Sequence, residues 1–303
     1  MQHATSDKLY FEIGPDNSPT LYVKPGEVFE VETQINRGPW LDSHPDREAL
    51  ELKLRGANPV SGCIHVEGAG PGQALVVHIG EIDLDPVGFT RYLGNNSAIP
   101  AWLGPGSLEG QQKVVQVNNG NIIWSDSLKL PIAPMLGVVG VAMENTRWAT
   151  VWAGPWGGNM DIQEVTVGAS VHLPISVPGA LLHIGDMHAL QGDGEICGAG
   201  GIEAGGRVKV WCDLVPKPKN MTWPRIMNNT HIITCAQARP AEDAFRLALV
   251  EMILLLEEEY GMSHGEAYLL LGQVLEARCT QFVNPTYTYV CKVNHKYLPD
   301  ALP

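Results

Sequence analysis

The chain has 303 residues, 45% hydrophobic and 17% charged, with a formal net charge of −13. That length and apolar content support a large core in one or two domains. The acidic balance, with no Lys/Arg cluster, argues against nucleic acid as a partner, and 33 glycines with 22 prolines point to many turns between short strands.

Residues 1–7 have neither a basic start nor an apolar stretch and do not read as a secretory signal. The longest apolar run, 247–256, contains Glu251 and is too short to cross a bilayer, so no membrane partner is expected. The six cysteines, Cys63, Cys197, Cys212, Cys235, Cys279 and Cys291, include no C-x-x-C pair. They are expected as small reduced core residues in a cytoplasmic protein.

Segments 9–13 and 20–23 read as short strands separated by a run of turn formers, Gly14 to Pro19. Phe29 and Val31 alternate with Glu30 and Glu32, which marks a half-buried strand. Residues 36–48 form a polar loop that carries Trp40 and His44. Two strands joined at Pro71-Gly72 fill 58–84. Residues 85–110, rich in Gly, Pro and Asn, are expected to leave the body as a long excursion of the kind that often forms a lid. Short strands follow near 114–117, 122–124 and 137–142. In Gly157-Gly158-Asn159-Met160-Asp161, the glycines allow close backbone approach. There Asn159 either donates an amide hydrogen bond to a carbonyl, with Asp161 in support, or sits in a hairpin turn.

The stretch 180–195 organises the rest. An apolar run, Ala180 to Ile184, follows Pro178-Gly179 and reads as a buried strand. Alternation then puts Ile184, Asp186 and His188 on one face and His183 on the other. Gly192 and Gly194 let the chain bend around Asp193 and bring back Glu195. Carboxylates and an imidazole gathered in this way suit either a metal or acid–base chemistry. The run from Pro71-Gly72 to His78-Ile79-Gly80-Glu81 parallels the one from Pro178-Gly179 to His183-Ile184-Gly185-Asp186. It suggests an internal duplication in which Glu81 and Asp83 are the counterparts of Asp186 and His188.

After 235 the texture changes. Pro240, with acids in the first turn, starts a helix that runs to about Tyr260 and stops at Gly261. The capping box Ser263-His264-Gly265-Glu266 opens a second helix, to about Ala277. Helical spacing points Leu247, Val250 and Leu254, then Tyr268, Leu271 and Leu275, toward a core. Asn284-Pro285 breaks the chain before a final strand at 287–293. The expected fold is mainly β, a β-sandwich-like core with internal duplication over 1–235, plus a C-terminal α+β part with two helices over 236–303.

The chain resembles the acetamidase/formamidase family. The resemblance rests on Val23-Lys24-Pro25-Gly26-Glu27, Asn58-Pro59-Val60-Ser61-Gly62 with His65-Val66-Glu67-Gly68-Ala69, and Gly157-Gly158-Asn159-Met160-Asp161. Leu173-Pro174-Ile175 with Pro178-Gly179-Ala180 also fits. The most distinctive blocks are Gly185-Asp186-Met187-His188-Ala189 and Gln191-Gly192-Asp193-Gly194-Glu195. The resemblance implies hydrolysis of short aliphatic amides to carboxylate and ammonia by a homo-oligomer that uses a divalent metal, zinc first and calcium as the alternative. It casts Asp186, His188 and Glu195 as metal ligands, and Glu195, Asp193 and Glu203 as catalytic acids. Asn159, Gly158 and Gln191 become the substrate-binding set. The chain departs from the family pattern at Cys197-Gly198-Ala199-Gly200-Gly201-Ile202-Glu203, a longer and more glycine-rich path to Glu203. Two readings stay open beside it: a non-catalytic β-sandwich that binds a metal or small ligand, and a hydrolase of a related carbamoyl or guanidino compound.

Overall fold

The structure, a computed structural model, describes residues 1–93, 98–99, 102–104 and 106–300. Among these residues, 18 strands join in one large sheet and two more form a small ribbon. The molecule is thus mainly β, with an α+β C-terminal part. Among the described residues, no helix is long and apolar enough to cross a membrane.

Two long antiparallel strands, Gln73–Leu93 and Ala199–Pro216, run side by side through the sheet. The first also pairs with Ser170–Pro174 and Gly110–Asn118. Within the same sheet lies the central strand, Leu182–His188, with all seven residues buried. It is flanked by Met135–Val141 on one side and Val60–Val66 on the other, and its last residues pair with Glu203 and Ala204. A strand covered on both faces has no polar side to show, which explains its run of apolar residues. Phe29, Val31, Val138, Val139, Ile184 and Val210 form part of the main core, and each is fully buried.

The excursion expected over 85–110 begins later. Residues 85–93 continue the long strand, and the next strand opens at Gly110. Pro86 and Gly88 are tolerated because the pairing slips where Leu84 faces Gly206 and Gly88 faces Ala204. A bulge is where a strand accepts Pro and Gly. The lid expectation for the remainder falls partly on residues outside those described. Within the loop expected at 36–48, Pro39–Ser43 forms a 3-10 turn, and a short helix follows at Arg47–Lys53.

The first C-terminal helix spans Ala241–Tyr260 and ends at Gly261, whose φ of 67° is left-handed. The second spans His264–Val274, with the Ser263 side chain accepting from the Glu266 amide. It stops short of Ala277 because Glu276–Gln281 is a strand paired with Tyr287–Asn294. The buried face of the first helix also differs from the expected one. Ala244, Ala248, Met252, Leu255 and Leu256 pack inward, while Leu247 and Val250 are exposed. Residues 247–256 are apolar almost all round, so spacing alone could not choose the phase. The two alanines let the helix sit close on the strands below it. One of those strands, His231–Ala238, runs across residue 235 and pairs with Tyr287–Asn294.

Candidate active site

The site forms where the central strand ends. Asp186 has φ 54°, a left-handed kink that is uncommon for a non-glycine residue and often marks a functional position. Asp186 is 3% exposed and His188 is fully buried. The imidazole Nε2 lies 3.7 Å from Asp186 Oδ2 and 3.6 Å from Glu203 Oε1. Glu203 reaches it from the neighbouring long strand, directly opposite His188 in register.

Gln191 sets the other side of the ring. Its Nε2 donates to the main-chain oxygens of Asp161 at 3.0 Å and Thr280 at 3.2 Å. Its Oε1 must therefore accept from His188 Nδ1, 2.8 Å away. With the proton fixed on Nδ1, Nε2 faces the acids. Gln191, expected to bind substrate, thus orients the histidine from behind.

Asp161 is the residue that sequence reasoning underrated. It lies just past the strand Gly157–Asn159 with φ 50° and is 1% exposed. One carboxylate oxygen accepts from Asn284 Nδ2 at 2.6 Å. Asp186 Oδ2 similarly accepts from Asn58 Nδ2 at 3.0 Å. Neither asparagine was singled out as a site residue. Each lies in a loop far from 180–195 in sequence, so local pattern gave no signal for it. A ligand atom from each of Asp161, Asp186 and His188 lies within 4.8 Å of the others. Gly137 makes this proximity feasible, because a Cβ there would stand 2.5 Å from Asp186 Oδ2 and 2.6 Å from Asp161 Oδ1.

Glu195, 6% exposed, lies beside Asp161 and lines a cavity of about 250 Å³ with Asp186, Glu203 and Asn159. Asn58, Asn284 and Arg91 also line it. Asp193 lies apart: it is exposed, and its Oδ1 accepts from Arg278 at 2.7 Å and Gln163 at 3.2 Å. That engagement at the surface leaves it outside the catalytic cluster. Gly158 does not line the cavity, and a Cβ there would collide with the Trp152 carbonyl. Glu81 pairs with Lys209 at the surface and Asp83 is exposed, so neither joins the site. His183 is buried away from it, held by Asn17 Nδ2 at 2.9 Å and the Leu181 carbonyl at 2.9 Å.

The electrostatics are severe. Burial, then the Asp186 charge, raises Asp161 to about 7. Burial, then Glu203, raises Asp186 to about 6. Burial and Asp161 push Glu195 well above its ordinary value. For His188, burial opposes the charged form, but Glu203 and Asp186 win and raise it well above its usual value. Asp161 Oδ1, Asp186 Oδ1, His188 Nε2, Glu195 Oε2 and Asn159 Oδ1 are all buried without a hydrogen-bond partner. Orphaned acceptors of this kind are costly and call for protons, a cation or a ligand. Two carboxylate oxygens and an imidazole nitrogen whose proton a cation would displace suit a divalent ion, so the residues fit one.

A buried acid–imidazole cluster thus lies under a small cavity in a mainly β fold. Comparison with known proteins gives the family. The sequence profile of the acetamidase/formamidase family matches residues 2–145 and 135–293, and the chain belongs to that family. It is 27% identical to the acetamidase of Mycolicibacterium smegmatis over 66% of this chain and 64% of that one. It spans less than two thirds of the length of the curated relatives it matches. An acetamidase structure from Bacillus halodurans superposes with a TM-score of 0.87 at 27% identity, covering 97% of this chain and 98% of that one. One from Yersinia enterocolitica also gives 0.87, at 30% identity, covering 99% and 93%.

Proposed function

We propose that this site hydrolyses a short aliphatic amide to a carboxylate and ammonia. The observation that carries the proposal is the set of unpartnered acceptors on Asp161, Asp186, His188 and Glu195 beneath a cavity sized for a small molecule. Family membership and the acetamidase relatives support the same reading.

Asp161, Asp186 and His188 would hold a divalent ion, with zinc first and calcium as the alternative, and Glu203 would back the imidazole. Such an ion, when bound, polarises a carbonyl and lowers the pKa of water toward about 7. The remaining work belongs to the chain. Asn159 presents its side-chain amide to the cavity, where its unpartnered Oδ1 accepts the substrate N–H and orients the amide plane. Glu195, with its raised affinity for a proton, takes one from the attacking water. It returns that proton to the nitrogen as the C–N bond breaks, and ammonia leaves. Gln191 keeps the His188 proton on Nδ1 throughout.

The test is ammonia release from formamide and acetamide by the purified protein, before and after chelation and after zinc is restored. Release that chelation abolishes and zinc rescues supports both parts of the proposal. Release that survives verified removal of the metal overturns the metal's role. No release from any short amide overturns the hydrolase reading.

A further inference from the structure

The cavity over the cluster has acids on its floor and a guanidinium on its wall. Arg91 lies on the long strand Gln73–Leu93, two residues beyond Phe89, whose main chain faces Glu203. Two residues of strand advance about 7 Å, so the Arg91 main chain stands roughly that far along the strand from the Phe89–Glu203 pair, and its side chain lines the same cavity as Glu203. No other Lys or Arg is found among the described residues that line this cavity.

Arg91 is half-buried, and among the described residues its guanidinium has no carboxylate partner and no hydrogen bond. Its contact is with the Phe89 ring, 5.9 Å from the centroid. Arg37, Arg47, Arg147, Arg225, Arg246 and Arg278 all pair with acids. In a chain with 33 acids and 20 bases, a half-buried arginine without an acid stands out. Its planar fork of donors matches a carboxylate in bidentate fashion. Between it and the floor the wall is partly apolar, formed by Ala57, Val151, Val283 and Pro285.

We propose that Arg91 binds a carboxylate at the far end of the substrate. The favoured substrate is then the monoamide of a short dicarboxylic acid rather than a neutral amide. This rests on the amide-hydrolase reading above. A cavity of about 250 Å³ takes only a chain of a few carbons between an amide at the floor and a carboxylate at the guanidinium, and succinamate, with four carbons, is the probe of that class. The amide reacts with water, the C–N bond breaks, the nitrogen departs as ammonia with the transferred proton, and a dicarboxylate remains.

Succinamate and butyramide have the same chain length and differ in the terminal carboxylate. Ammonia release from both should be measured with the wild type, Arg91→Gln and Arg91→Lys. The wild type is expected to favour succinamate in kcat/KM by about tenfold or more, as a charge-assisted contact allows. Arg91→Gln should collapse that ratio, chiefly through the KM for succinamate, and Arg91→Lys should restore part of it. Because both substrates are tested on the same protein, a partly folded variant does not distort the ratio. A wild type that prefers butyramide, or a ratio that Arg91→Gln leaves unchanged, overturns the proposal. Hydrolysis of formamide or acetamide without hydrolysis of succinamate overturns it while leaving the hydrolase reading intact. No release from any amide removes the hydrolase reading itself.

Discussion

At the residue scale, the site depends on which atoms carry protons. Gln191 spends both amide hydrogens on main-chain oxygens and so has only an acceptor to offer His188. Gln191→Ala should cost about 10–100-fold in metal affinity or kcat/KM, as loss of a group behind a ligand histidine typically does. Metal content and steady-state kinetics would show it. Glu195→Gln keeps the shape but cannot take a proton, and kcat should fall by about 10²–10⁴ while the melting temperature holds or rises. His183 gives a pH prediction free of the cluster. Burial depresses its folded pKa to about 4, against about 6.5 in an unfolded chain. Between those values the unfolded chain binds the extra proton, so stability falls as pH drops through that window and does not change above it. Asp161, raised to about 7, acts in the opposite sense. The His183 contribution is therefore read as a difference: the loss of unfolding free energy between about pH 7 and pH 5 should be smaller in His183→Leu than in the wild type.

At the scale of elements, packing set what periodicity left open. The central strand was legible because an apolar run ended in Asp186 and His188, and the first helix because Pro240 and Gly261 punctuate it. The phase of that helix was not legible, since Leu247 and Val250 are as apolar as the residues that pack inward. The extension through Pro86 was hidden because a bulge suspends the usual strand rules. Asp161 and Asn284 meet only in the folded chain, 123 positions apart, so no window of sequence contains the contact. Gly137 shows how an element serves the site by lacking a side chain. Gly137→Ala would press a methyl between two carboxylates, and overpacking of that kind costs about 1–3 kcal/mol. Activity should be largely lost along with that stability, as denaturant unfolding and ammonia release would record.

At the scale of the whole molecule, Asp161, Asp186, Glu195 and Glu203 share a buried space with a single imidazole. The folding energy of the large core must offset the cost of burying those acids together, and Asp161, Asp186 and Glu195 hold their protons more tightly because of it. Removing the ion should lower the melting temperature, and restoring zinc should raise it again, since binding to the native state alone stabilises it. In the ion-free protein above about pH 7, where Asp161 must give up its proton, Asp161→Asn should melt above the wild type because a buried repelling charge is gone. With zinc present the order should reverse, and differential scanning calorimetry of both proteins in both states decides the matter.

The long strand Ala199–Pro216 carries Glu203 near one end and body-forming residues such as Val208 and Val210 farther along. The catalytic floor is thus woven into the same ladder as the core. Amide protons of residues 184–188 and 203–210 should be among the last to exchange with deuterated solvent, and to do so together. A floor of this kind moves little, so what it holds would come and go through the cavity above it and not through breathing of the strands. An ion seated there would exchange through that cavity while the strands stay closed, making its occupancy in a purified sample a record of the medium around the folded chain.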